Sequence, residues 1–191
     1  MQGSMARTNG RTPGTRTTLA GLATILVILV APASAHACKH TGAQPHKLTV
    51  KQARSSVACL VNQRRRAHGL RRLRVDVRLG RAAQWHSKSM DSGNFFSHLG
   101  PGGSSPFSRI RSAGYLSGAA SWGVGENIGW GKARKGSPKA AVAAWMKSPS
   151  HRAALLSHSF RHIGVGMANG SPTGGGEGNS GIYTATFGYR S

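Results

Sequence analysis

The run Ser137-Pro-Lys-Ala-Ala-Val-Ala-Ala-Trp-Met-Lys-Ser-Pro-Ser-His-Arg-Ala-Ala-Leu-Leu156, and the Ile163-Gly-Val-Gly-Met167 that follows it, decide the fold, because the apolar period changes between them. Ser137-Pro138 is a helix start, and the helix it opens carries Val142, Trp145 and Met146. Ser148-Pro149 restarts helix at once and carries His151, Leu155 and Leu156. Beyond it Ile163, Val165 and Met167 alternate, as do Tyr183, Ala185, Phe187 and Tyr189, which is the period of a strand. A glycine-rich connection, Asn169 to Gly181, lies between them.

Upstream, the pattern is helical. Thr49 and Gln52 form a capping-box pair ahead of Val50, Ala53, Val57, Leu60 and Val61, and Gly69 marks the end. Asp76 caps a second helix with an inward stripe of Leu79, Ala82, Ala83, His86 and Met90, closed by Gly93. Ser105-Pro106 opens a third, with Phe107 and Ile110 facing in and Gly114 after it. Helices first and antiparallel strands late predict an α+β layered domain.

Residues 1–35 read as a secretory signal peptide. Arg7, Arg11 and Arg16 precede an uncharged run from Leu19 to Val30, and Ala33-Ser34-Ala35 is a small-residue cleavage site. A membrane span needs about 20 apolar residues, and this run is shorter and meets Pro32. Residues 36–48 then form a polar arm, and one folded domain follows over 49–191. Export makes a Cys38–Cys59 disulfide the favoured use of the two cysteines. The competing reading, a catalytic thiol, suits Cys59 poorly, since it sits inside a helical pattern.

Charge bounds the partners. Lys and Arg number 26 against 4 acids, a net +22, which becomes +19 once the leader and its three arginines are removed. Eight arginines fall between Arg64 and Arg81. Such a field attracts anionic cell-wall polymers, anionic lipid head groups or nucleic acid, although arginine can also simply fill a solvated surface. Export, and the lack of aromatics interleaved with the basic run, weigh against nucleic acid.

With so few acids, each is informative. Asp76 is a cap, Asp91 reads as solvated at a helix end, and Glu177 sits in the glycine-rich loop. Glu126 differs, because Trp122-Gly-Val-Gly-Glu-Asn-Ile-Gly-Trp130 contains no other charge, and a buried carboxylate needs a specific partner. A backbone turn, a histidine or a metal would serve. His86 reads as a hydrogen-bonded core residue, and His158 and His162 as exposed residues beside a turn. His98, after Phe95-Phe96-Ser97, and His151, in the first turn of a helix, stand where a ring can project.

Phe96-Ser-His98, Ser105-Pro-Phe-x-Arg-Ile110, Ala113-Gly-Tyr115, Gly125-Glu-Asn-Ile128, Ala144-Trp-Met-x-Ser-Pro-x-His-Arg152 and Ile163-Gly-Val-Gly166 occur in one order. Together they resemble the CAP superfamily (cysteine-rich secretory proteins, antigen 5 and pathogenesis-related proteins), in its bacterial secreted SCP-like branch, over residues 50–189. The resemblance implies a three-layer α-β-α sandwich with a small antiparallel sheet. It also implies a cleft whose matching residues here are His98, Glu126 and His151, able to hold a divalent metal. A second family carboxylate is absent, since Lys147-Ser148 follows Trp145-Met146 where relatives have a glutamate.

Two imidazoles and a carboxylate would suit zinc with water as a further ligand. Glu126 could otherwise act as general base, or the three residues could form only a hydrogen-bonded network. The spacing itself matches no local metal motif, and neither HExxH nor GxSxG occurs. The leading expectation is therefore a monomeric, secreted binding module for envelope, lipid or other anionic ligands. A metal-dependent, peptidase-like hydrolase using His98, Glu126 and His151 is the alternative.

Overall fold

The computed structural model describes residues 37–174 and 178–191. The leader and Glu177 lie outside them. The elements run α1 (Val50–Ala67), β1 (Arg74–Val75), α2 (Val77–Ser92), α3 (Pro106–Ser112), β2 (Trp122–Lys132), α4 (Pro138–Lys147), α5 (Pro149–Leu155), β3 (His162–Ala168) and β4 (Ser180–Arg190). The α+β order read from the sequence is present. Among the described residues, no helix is long and apolar enough to cross a membrane.

The helix starts are built as the sequence predicts. Thr49 accepts from the Gln52 N–H while the Gln52 side chain accepts from the Thr49 N–H, so two otherwise orphaned donors are satisfied. Asp76 accepts from the backbone of Arg78 and Leu79 at the head of α2. Ser105 and Ser137 cap α3 and α4, each followed by proline.

The sheet order is β1-β3-β4-β2. β4 pairs antiparallel with both β2 and β3, and β1 adds a parallel edge of two residues, so the sheet is mixed rather than wholly antiparallel. Ile163, Val165 and Met167 of β3, with Tyr183, Ala185 and Phe187 of β4, pack on one face against Val57 and Val61 of α1, Val142 and Trp145 of α4, and Leu155 of α5. Facing the opposite way, Thr184 and Thr186 meet α2, where they bond the Ser87 hydroxyl and the Leu79 carbonyl. Leu79 and Ala82 of α2 join Ile110 and Tyr115 in a second core, and Met90 joins Ile128 and Ile182 in a third. This is the three-layer sandwich.

The alternation Ile163-Gly-Val-Gly166 has a direct cause. A Cβ on Gly164 would strike the Leu79 backbone, and one on Gly166 the Ala83 backbone, so glycine lets α2 lie against the sheet. The arm before α1 is pinned. Cys38 and Cys59 form a disulfide, Ser56 Oγ donates to the Lys39 carbonyl, and the Lys139 N–H donates to the Thr41 carbonyl. Phe107, expected to face the core, is only half-buried and stacks on Trp122 instead.

Candidate functional site

Glu126 lies in β2, opposite Thr186 of β4. Alternation along β2 puts it on the same side as Val124 and Ile128, which pack into the cores under α2. Its carboxylate is 1% exposed, so a partner is obligatory. Two are supplied. His98 Nδ1 donates to Oε1 at 2.9 Å, and Arg109 Nη2 donates to Oε1 at 3.0 Å and to Oε2 at 2.9 Å.

Arg109 comes from α3 and is itself 6% exposed. The same guanidinium donates to the carbonyls of Ser104 and His98, so it ties the loop carrying His98 to β2. His86, fully buried on α2, holds that loop from below by donating Nε2–H to the Ser97 carbonyl at 2.9 Å. Its Nδ1 is therefore the bare nitrogen of a neutral ring. Burial lowers the His86 pKa first of all, and the Arg109 and His98 charges lower it further against an opposing pull from Glu126.

His151 sits in the first turn of α5. Its carbonyl accepts from Asn127 Nδ2 at 2.9 Å, so β2 positions His151 through the residue next to Glu126. Its ring borders a cleft of about 390 Å³ with Phe96, Trp130, Lys135 and Ser148. Burial, and then the charge of His98, hold its pKa below the ordinary value. His98 is 47% exposed at its side chain. Nδ1 is the ring nitrogen engaged with Glu126.

The three residues singled out by sequence thus stand in one region, but only His98 and Glu126 touch. Both Glu126 oxygens accept from Arg109, and Oε1 also accepts from His98. Among the described residues, no group of three or more His, Cys, Asp or Glu side chains is gathered to hold a metal. Lys147 is exposed at the end of α4.

Arg109 is the partner of Glu126 that sequence reasoning misses. The signal that could have found it is an arginine beside the inward residue Ile110, in a chain whose one isolated carboxylate required a cation. His86 is the core histidine expected. His162 departs from expectation, being half-buried with Nδ1 2.7 Å from the Tyr115 hydroxyl, whose own pKa burial pushes up to about 12. Asp91 is half-buried too, its carboxylate lying against Gly170.

The layered α-β-α fold, with a histidine–glutamate pair clamped by arginine at the edge strand, is that of an SCP domain. Residues 59–187 match the cysteine-rich secretory protein family, and the chain belongs to that CAP family. The uncharacterized protein YkwD of Bacillus subtilis is 35% identical over 136 residues, which is 71% of this chain and 49% of that protein. The uncharacterized membrane protein YlbC of the same organism is 34% identical over 108 residues, 56% of this chain and 29% of that protein. The chain therefore spans half or less of the length of these relatives.

Among solved structures, an extracellular protein containing a SCP domain from Bacillus anthracis is 28% identical with a TM-score of 0.59, over 72% of this chain and 40% of that one. An outer surface protein of Borrelia burgdorferi, 21% identical with a TM-score of 0.61, covers 75% of this chain and 97% of its own, and shares the fold.

Proposed function

We propose that this protein is a secreted CAP domain that binds anionic polymers or lipids of the cell envelope through the arginines at the end of α1 and in the segment leading to β1. One observation carries the reading. Arg64, Arg66, Arg71, Arg72 and Arg74 are all exposed, and none forms a salt bridge with an acid among the described residues. The basic run is not uniform, however. Arg65 is buried and donates to the carbonyls of Arg71, Leu155 and Ser157, so it is a structural tie, and Arg78 pairs with Asp76. The secretory leader and the extracellular relative in Bacillus anthracis support an envelope setting.

Attraction of this kind is screened by salt, with a Debye length of about 10 Å at 0.1 M and about 3 Å at 1 M. Cosedimentation with vesicles containing phosphatidylglycerol should therefore weaken steeply as salt rises. Arg71→Gln/Arg72→Gln should reproduce that loss at low salt. Binding indifferent to salt and to the double substitution would overturn the reading.

A second reading is a divalent metal, zinc by ligand chemistry, held by the imidazoles of His98 and His151, as a hydrolase of this family would require. Its support is that both rings stand by β2, His98 bonded to Glu126 and His151 held through its carbonyl by the adjacent Asn127. Metal analysis and zinc titration of the purified protein and of His98→Ala decide it. A metal stoichiometry near one that disappears in His98→Ala supports the reading, and no zinc uptake by the parent removes it.

A further inference from the structure

A second cleft, of about 430 Å³, opens between α2 and α3; its walls are Arg81 and Trp85 of α2, Ser104 before α3, and Ser108, Arg109 and Ser112 of α3. We infer that this cleft binds a saccharide ring carrying a carboxylate. The inference rests on the reading of the protein as an extracellular binder of anionic envelope material, and assigns part of that recognition to one site.

Its chemistry is mixed in a particular way. Trp85 leaves its indole 47% exposed, a large apolar face on an otherwise polar helix surface. Such a face suits the C–H face of a sugar ring better than a fully charged or fully polar ligand. The hydroxyls of Ser108, which donates to the Ser105 carbonyl and can still accept, and of exposed Ser112 suit the hydroxyls of a polyol. Arg81 is exposed, with one nitrogen donating to the Ala113 carbonyl at 3.1 Å, and its planar guanidinium fits a carboxylate in two-point contact.

An independent feature points to an occupant. Arg109 borders this cleft and is more than nine-tenths buried, yet its Nε has no hydrogen-bond partner among the described residues. Buried donors of this kind ordinarily find an acceptor. The volume lies within the range of small-molecule sites and is enough for one or two sugar rings.

Calorimetric titration of the protein with a glucuronate-containing disaccharide, its neutral glucose counterpart and glucose 6-phosphate tests the assignment. The acidic disaccharide should bind about tenfold or more tightly than the neutral one, and Trp85→Ala and Arg81→Gln should each weaken it about tenfold. Both side chains are exposed, so thermal unfolding of the variants should match the parent. Arg71→Gln/Arg72→Gln should leave disaccharide binding unchanged. No binding of the acidic disaccharide, binding undiminished in Trp85→Ala, or a preference for glucose 6-phosphate would overturn the inference. Disaccharide binding that depends on Trp85 in a protein whose vesicle binding ignores salt would instead leave this site standing and remove the surface reading.

Discussion

Arg109 Nη2 reaches both carboxylate oxygens of Glu126, at 3.0 Å and 2.9 Å, and so neutralises the buried acid of the cleft, to which His98 adds a further hydrogen bond. Both side chains are almost wholly buried, so neither charge can turn to water if the other is removed. Removing one member of such a pair costs about 3–5 kcal/mol, because the survivor stays buried and uncompensated. Arg109→Met should therefore lower stability by about that much in chemical denaturation. Glu126→Gln in the same chain should recover most of the loss, since the buried anion is gone. Two single effects that merely add would show that the residues do not act as a pair.

Acid should loosen this protein in two separate windows. His86, His151 and His162 all have pKa values held below the ordinary histidine value, burial being the first cause in each case. A histidine that the fold keeps neutral takes up its proton more readily when unfolded. Its contribution is full above about pH 6.5 and is lost as pH falls from there towards the lowered folded value. Asp76 acts later. Burial alone would raise its pKa, but hydrogen bonds from Arg78 and Leu79 outweigh that and hold it below the usual carboxylate range, so its share is lost only at lower pH. The midpoint of thermal unfolding should fall between pH 7 and pH 5, and His86→Gln should flatten that part of the curve. A midpoint constant across it would show that these rings do not govern stability.

The sequence carries most of the scaffold and only half of the site. α1, α2, α4 and α5 declare themselves through caps, prolines and apolar period, because helix signals are local. β3 and β4 are legible from strict alternation. β2 does not read as a strand, although it is 11 residues long, because Gly123, Gly125, Gly129 and Gly131 suppress any strand propensity. Its extended form is imposed by register with β4, a contact between distant segments. β1 has only two residues, too few for any period. Within the cleft, Glu126 stands out because its neighbours are uncharged, and His98 and His151 through their settings, after Phe95-Phe96-Ser97 and in the first turn of a helix, and then through the family resemblance. Arg109 does not, because a helical arginine beside Phe107 and Ile110 looks like a solvated one until the fold turns it inward.

The disulfide offers a third test. Cys38 and Cys59 are 21 positions apart, and closing a loop of that length is worth about 3 kcal/mol if the native geometry is unstrained. The arm it holds also buries Pro45 and Leu48 and bonds α1 and α4 through Ser56 and Lys139. Cys38→Ser/Cys59→Ser should unfold at lower denaturant by about that amount, while keeping the Arg109–Glu126 coupling intact, since that pair lies on the far side of the sheet. Loss of the coupling along with the disulfide would mean that the arm supports the cleft.

Gly166 gives the sharpest test of how the layers meet. Its position on β3 faces α2, and a methyl group there would strike the Ala83 backbone and the next peptide nitrogen, at Gln84. Backbone cannot give way as a flexible side chain can, so α2 would have to lift from the sheet. Gln84 makes that movement costly in a second way. Its side chain donates to the Met167 carbonyl at 2.8 Å and accepts from the Met167 N–H at 3.1 Å, stitching α2 to the strand one residue along. Gly166→Ala should therefore cost about 3 kcal/mol, the upper end for overpacking a core. Because α2 also carries His86, whose Nε2 holds the Ser97 carbonyl, the shift should reach the loop that presents His98. Histidine proton resonances of the variant should show His98 moved as well as His86. Gly42→Ala, where a methyl group meets open space, is the control and should change neither. A Gly166→Ala protein as stable as the parent would show that α2 is not pressed onto β3 at this point.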